Sequence, residues 1–414
     1  MATASDLPVV AVVHNAKSVS SFDLAAASAG LCQIGFVVDG AEKSQLRLLR
    51  HFGPVADITG LSRSEAAAEV RAFAPAGITT FLDSLILPTA SLAEDLGLPY
   101  HSADVGATLV DKYRQREALQ RAGIPGPRFV VEPDTDVTED SLGHELAFPV
   151  VVKPRIGAAS RGITMATDRD QLVDALDRAR KVGAGAMILE EYLPDMEPAL
   201  DPDFAGFVSV ESVMGAGKLR HLAVMGKLPL TPPFRESGHF TPSHLSEALL
   251  DGVLAMVQSA VEGIGIDIGG LHTEVKLTPA GPRIVEVNGR TGGGGVPDVL
   301  KAAGGCSLLE AAMRVALGEA PSDGGLAPCE RVGFKINVQP PMWAQRVASV
   351  EGLAEVAALP GILGANLLRR PGDPVDWRLG TDENVVNIVG AVADLDQLRA
   401  TRREVDQLLL ISYE

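Results

Sequence analysis

Cysteine is scarce in this chain: 414 residues contain three, Cys32, Cys306 and Cys329. An odd number, widely spaced and without a CxxC, argues against a disulfide framework or a zinc site and for a reducing, cytoplasmic setting. Long apolar runs are missing too. No stretch approaches the length of a membrane span, and the amino end, MATASDLPVVAVVHNAK, has no basic region before its short apolar run, so neither a signal peptide nor an anchor is expected. Positive charge is in deficit, with 36 Lys and Arg against 53 Asp and Glu, a net charge of −17. Nucleic acid and anionic membranes are repelled at long range by such a chain, so no partner of either kind is expected. Any anionic ligand has to be held by a local basic cluster. Two nucleotide fingerprints are also absent: no GxGxxG follows the first apolar strand, and no GK[ST] closes the loop after Lys153.

What is present is the composition of a soluble globular protein, 46% hydrophobic and 21% charged, long enough for two or three domains. Apolar runs at Pro8 to Val13, Gln33 to Asp39 and Ile78 to Asp83 read as strands buried on both faces. Helices are expected between and after them at Asp23 to Ala29 and Ser91 to Leu96, which gives a parallel α/β arrangement. Asp111 and Lys112 open a helix stopped by Gly123 and Pro125. Phe148 to Lys153 is a strand ending in a lysine, followed by a small-residue loop, Gly157 to Gly162, whose backbone N–H groups suit phosphates. Ala186 to Leu193 is a strand running into Glu190 and Glu191, with Glu197 beyond. An apolar strand edge with one carboxylate for an exocyclic amine and another for ribose hydroxyls would suit a purine. Taken by themselves, the same glutamates read more simply as surface charges. Pro229 to Pro242, with Arg235, Glu236 and His239, is expected to be an irregular loop, and Ser246 to Ile264 a long amphipathic helix.

The stretch that organises the chain is LHTEVKLTPAGPRIVEVNGRTGGGGVP, Leu271 to Pro297. Two β-rich runs flank a proline/glycine turn, so a hairpin is expected. Period-two alternation places His272, Glu274 and Lys276 opposite Thr273 and Val275. On the return strand Glu286, Asn288 and Arg290 share a side. Glu274, Glu286 and the Asn288 amide then converge into an all-oxygen set of the kind Mg²⁺ takes when it shares its shell with phosphate oxygens. Arg290 beside it suits a planar or phosphorylated anion. The run Gly292 to Gly295 permits close backbone approach to a ligand. A solvated acidic face followed by an ordinary loop is the plain alternative.

Lys112, the strand-end Lys153 with its loop, the EEYL strand and the Glu274/Glu286/Asn288/Arg290 hairpin together resemble the ATP-grasp superfamily, in its order and approximate spacing. HTEVKL, VEVNGRTGGGG and the preceding RESGHFTPS resemble its L-amino-acid ligases. The resemblance covers about residues 1 to 320. It implies an α/β chain with an N-terminal parallel domain (1–107), a central ATP-grasp domain (108–320, lid about 148–225) and a C-terminal α+β domain (321–414) as in the biotin-carboxylase-like branch. It implies ATP, with Mg²⁺ or, in its place, Mn²⁺, and small-molecule substrates: a donor amino acid and an amine, amino acid or peptide acceptor, joined with release of ADP and phosphate. Dimers are common in the family.

Carried over residue by residue, the resemblance puts Lys112 and Lys153 on the nucleotide phosphates, under a mobile loop that includes Ser160 and Gly162. Glu190 and Glu191, with the backbone through Leu193, recognise adenine, and Glu197 takes the ribose. An insertion after Glu197 departs from the compact pattern. Glu274 and Glu286 hold the metal, assisted by Asn288. Arg290 binds the substrate carboxylate and its acyl phosphate, with Lys153 and the backbone of Gly293 acting in catalysis. Arg235, His239, His272 and Gly294 fall on the substrate side. The carboxylases of the same superfamily place a Gln-Val-Glu-His run after the arginine, where this chain has Gly292 onward. That difference speaks against bicarbonate as the activated acid, and the intact acidic and basic set speaks against a nucleotide-binding protein without catalysis. The last eighty-odd residues hold no catalytic constellation and are assigned to packing, closure or oligomer contacts.

Overall fold

The structure, a computed structural model, describes residues 7–131, 146–196 and 201–414. At the amino end, Val55–Asp57, Gln33–Val38, Val9–Val13 and Gly77–Thr80 form a four-stranded parallel sheet in that order. Its strands are continuous apolar runs because both faces are covered. Val10, Val12, Ile34 and Phe36 pack on one side with Leu24, while Ala11, Val13, Val37 and Ile78 pack on the other with Val70 and Leu92. Leu309, Ala312 and Met313 of the helix Leu308–Ala316 complete the first face from far along the chain. The third strand is shorter than its apolar run suggests. It stops at Thr80, and Asp83–Leu85 form a 3-10 turn leading into the helix Ile86–Leu96. Pro88 falls in that helix's first turn, where its missing N–H costs nothing, so the helix starts earlier than Ser91.

A four-stranded antiparallel sheet follows, ordered Phe129–Val131, Met187–Glu191, Val150–Pro154, Thr164–Ala166. The helix Arg169–Lys181 covers it through Leu172, Ala175 and Leu176.

The largest sheet has eight strands in the order Gly281–Asn288, Gly269–Thr278, Phe207–Gly215, Lys218–Lys227, Gly238–Thr241, Val332–Val338, Val386–Val392 and Ile362–Leu367. Gly238–Thr241 pairs with both Lys218–Lys227 and Val332–Val338, so hydrogen bonding runs unbroken across residue 320, where a boundary is expected from the sequence. This short strand also corrects the expectation of an irregular loop as far as Pro242. Lys218–Lys227 has no counterpart in the sequence reading: its last six residues are all buried, which removes the alternation that would announce a strand.

Alternation in the first three of these strands positions the site. Val208, Val210, Leu271, Val275, Leu277, Ile284 and Val287 face the helix Glu247–Ile264 and bury against its Val253, Val257 and Val261. The opposite face therefore carries Ser209, Glu211, His272, Glu274, Glu286 and Asn288. No helix among the described residues is long and apolar enough to cross a membrane.

Candidate active site

Over that polar face lies a cleft of about 1130 Å³, lined from the N-terminal sheet, the hairpin, the antiparallel sheet and the C-terminal region. Its floor is the hairpin. Glu274 and Glu286 are direct cross-strand partners, with a bulge immediately after them in which Val285 is the extra residue. Asn288 pairs across from His272, and its Nδ2 donates to the His272 carbonyl at 3.4 Å, which leaves the amide oxygen as an acceptor.

Lys112 is the first residue of the helix Lys112–Arg121, whose N-cap Asp111 accepts from the Tyr113 N–H. Gln115, one turn on, exchanges two 2.8 Å hydrogen bonds with the backbone of Val287 and fixes the helix to the hairpin. Lys112 Nζ then lies 2.9 Å from Glu286 Oε1 and donates to the Gly157 carbonyl at 2.8 Å. Lys153, near the end of its strand, lies 2.6 Å from Glu190 Oε2, and Arg116 Nε lies 2.9 Å from Glu190 Oε1. All three are buried. Burial alone would raise the Glu190 pKa, but the two cations outweigh it and hold the carboxyl below its ordinary range. Burial and the nearby Arg116 and Lys112 push Lys153 below its ordinary value. Lys112 and Lys153 both line the cleft, and they bring to it the local positive charge that an anion site needs in a chain of net charge −17.

Residues 146–298 match the ATP-grasp domain family. The chain carries an ATP-grasp domain. It is 26% identical over 249 residues to alanine–anticapsin ligase of Bacillus subtilis, a match covering 56% of this chain and 52% of that protein. The chain spans about half the length of the curated relatives it matches. Among solved structures it is similar to L-amino acid ligase from Bacillus licheniformis, with a TM-score of 0.75 at 20% identity over 99% of both chains. It is also similar to N5-carboxyaminoimidazole ribonucleotide synthetase from Thermotoga maritima, with a TM-score of 0.70 at 17% identity over 99% of this chain and 100% of the other. At these identities the structural likenesses concern the fold.

Within this ATP-grasp cleft several expected residues are placed otherwise. Glu190 does not line the cleft; its carboxylate is held by Lys153 and Arg116, behind the lysine. Glu191 pairs with Arg128 at 2.7 Å, outside the cleft lining, and Leu193 is half-buried in the loop after the strand. Glu197 lies outside the described residues. Arg235 is buried and spends its guanidinium on carbonyls, Nη2 to Pro232 at 2.8 Å and Nη1 to Pro340 at 2.7 Å. His239 is buried outside the cleft lining, and burial together with Lys227, Lys335 and His272 keeps it neutral, far below its ordinary pKa. The residue of that loop that reaches the cleft is Glu236, paired with buried Lys227 at 2.8 Å. Arg290 does line the cleft, but its fork is already engaged: Nε and Nη2 donate to Asp83 Oδ2 at 2.9 and 2.6 Å.

The small-residue loop is docked. Ser160 Oγ donates to the Phe234 carbonyl at 2.9 Å, Gly162 N–H to the Arg378 carbonyl at 3.3 Å, and Arg161 pairs with Asp382 at 2.6 Å. The Ala159 carbonyl accepts from the Thr381 N–H at 2.9 Å, and Ala159 and Ser160 hold φ of +57° and +56°. The C-terminal region, assigned from sequence to packing, closure or oligomer contacts, thus supplies Thr381 and Asp382 to the cleft wall. These two sit at a 3-10 turn, which leaves no periodic trace.

His272 Nδ1 lies 2.6 Å from buried Glu211 and its Nε2 3.6 Å from Glu274. Burial would lower its pKa, but Glu211 outweighs this and lifts it to about 9, while His272, Lys227 and Lys112 overcome burial to draw Glu274 down to about 2. Glu274 is therefore an anion throughout the physiological range. Among the described residues no three His, Cys, Asp or Glu side chains form a cage that could hold a metal unaided. Two carboxylates and an amide oxygen fit Mg²⁺ in the manner it prefers, with phosphates and water completing its shell.

Acid should unfold the protein partly through these buried carboxylates. Glu190 and Glu211 both have folded pKa values below the ordinary 4.5, so they stabilise fully above that value and progressively less as pH falls beneath it. Melting temperature measured from pH 7 to pH 3 should fall in this lower window, and Glu190→Gln should flatten the fall.

Proposed function

We propose that this ATP-grasp protein is an ATP-dependent carboxylate–amine ligase. It joins an amino acid to an amine, amino acid or peptide through an acyl phosphate and releases ADP and phosphate. The observation that carries the reading is the direct pairing of Glu274 with Glu286 on the cleft floor, with Lys112 on Glu286 and Lys153 beside it. Glu274, Glu286 and Asn288 would hold Mg²⁺, which when bound neutralises charge on the phosphates.

The residues of the chain do the rest. Lys112 and Lys153 balance the charge building on the γ-phosphoryl group as an oxygen of the donor carboxylate attacks the phosphorus and ADP departs. The carboxyl carbon then bears phosphate as leaving group. An incoming amine attacks that carbon, the phosphate leaves, and the amine proton is lost to solvent or phosphate. Arg290, anchored by Asp83, presents positive charge to the intermediate, and backbone N–H groups around Gly293 serve the tetrahedral oxyanion. The loop Gly157 to Gly162, docked on the C-terminal region, excludes water that would hydrolyse the acyl phosphate. The curated relative whose name couples alanine to anticapsin supports this class of reaction.

The fold shared with N5-carboxyaminoimidazole ribonucleotide synthetase favours a second reading, with bicarbonate as the activated acid. The glycines Gly292 to Gly295 offer no carboxylate base where the carboxylases have one, which weighs against it. Donor acids labelled with ¹⁸O separate the two: ligation through an acyl phosphate transfers one label per turnover into phosphate, and unlabelled phosphate would sink the proposal. Arg290→Ala should abolish ligation while nucleotide affinity, measured by calorimetry with ADP and Mg²⁺, changes little. Equal losses in both would remove the role given to Arg290.

A further inference from the structure

Glu211 sits in the middle of the strand Phe207–Gly215 with no solvent exposure, in register with His272 on one side and Ala223 on the other. A carboxylate in such a place is costly unless its oxygens are fully used. They are used on two different elements. Oε1 takes His272 Nδ1 at 2.6 Å and Ser209 Oγ at 3.3 Å, both on the sheet, while Oε2 takes the backbone N–H of Gly292 at 2.9 Å. The approach is close enough to dictate the residue: a Cβ at position 292 would lie 2.7 Å from Oε2.

Gly292 begins the glycine run. Two residues further on, the Gly294 carbonyl accepts from Lys335 Nζ at 2.8 Å. Gly293 lies between these two attachments, lines the cleft and has open space where a side chain would be. Four consecutive glycines have more backbone freedom than any other tetrapeptide, so their N–H groups serve a developing oxyanion only if something else holds them in place.

We infer that Glu211 is a positioning residue for amide-bond formation, fixing the head of the glycine loop against the hairpin that carries Glu274. The inference rests on the ligase reading for its reaction but not for its geometry. A purely local role, balancing the His272 charge, would leave the loop untouched when the contact to Gly292 is withdrawn.

Glu211→Asp keeps a buried carboxylate but draws it back by one methylene from both Gly292 and His272. Glu211→Gln keeps the reach and turns one of its two acceptor oxygens into a donor. Both should lower the kcat of ligation by about 10–100-fold, with the KM for ATP and the affinity for ADP within about twofold of wild type. In hydrogen–deuterium exchange the peptide spanning 292–295 should exchange at least tenfold faster in Glu211→Asp, without substrate present. Wild-type kcat in Glu211→Asp, unchanged exchange of that peptide, or a parallel loss of nucleotide affinity would each overturn the inference. If Glu211→Gln does not fold, Glu211→Asp decides, because it retains a buried negative charge near His272. If the wild type ligates nothing, the ligase reading fails and the exchange comparison alone decides whether Glu211 clamps the loop.

Discussion

Lys153→Ala is expected to lower ATP turnover by about 10²–10³-fold, the cost of removing one preorganised charge from a transferring phosphoryl group, and to leave the protein folded. The two halves of this expectation come from one cluster. Lys153 lies at the cleft wall, and it shares Glu190 with Arg116. Without Lys153 the carboxylate keeps Arg116, whose Nε stays at 2.9 Å, so no charge is left without a partner. Circular dichroism melting curves close to wild type, together with phosphate release near background, are the expected pair of results. A variant that turns over ATP within tenfold of wild type would remove Lys153 from the chemistry.

Glu190→Ala should behave in the opposite way. Two cations, Lys153 and Arg116, then remain buried without their carboxylate, and the loss is about 3–5 kcal/mol. Denaturant titration should show it as a large drop in midpoint. A drop comparable to that of Lys153→Ala would mean that the triad is a weaker organiser than its geometry implies. Glu190 thus supports Lys153 and Arg116 in this structure, where its sequence context suggested an adenine contact. A glutamate on an apolar strand is compatible with either role, and the support role is visible only through Arg116, which arrives from a helix 74 residues earlier in the chain.

How much was legible in the sequence follows from where each signal resides. The hairpin could be read because period two is a local property: Glu274 and Glu286 fall on one face whatever the rest of the chain does. The same alternation was available in FVSVESV, where Ser209 and Glu211 oppose Val208 and Val210, and it would have pointed to Glu211 as a polar residue on the cleft face. Lys227 and Glu236 were hidden for different reasons. Lys227 ends a strand whose last half is buried on both sides and so shows no alternation. Glu236 lies between Arg235 and His239, whose chemistry looked more suited to a substrate, but the chain turns both of those inward and leaves the glutamate facing the cleft. Asp83 on Arg290, and Thr381 and Asp382 against the small-residue loop, depend on tertiary approach of segments hundreds of residues apart, which no local pattern encodes.

The most direct measurement is phosphate release from ATP and Mg²⁺ by the purified protein, with a mixture of amino acids, with bicarbonate, and with neither. A carboxylate–amine ligase built on the Glu274/Glu286 pair should release phosphate several-fold faster with amino acids than in the other two arms, and Glu286→Gln should abolish that increment. Release stimulated by bicarbonate alone, or an amino-acid increment that survives Glu286→Gln, would contradict it.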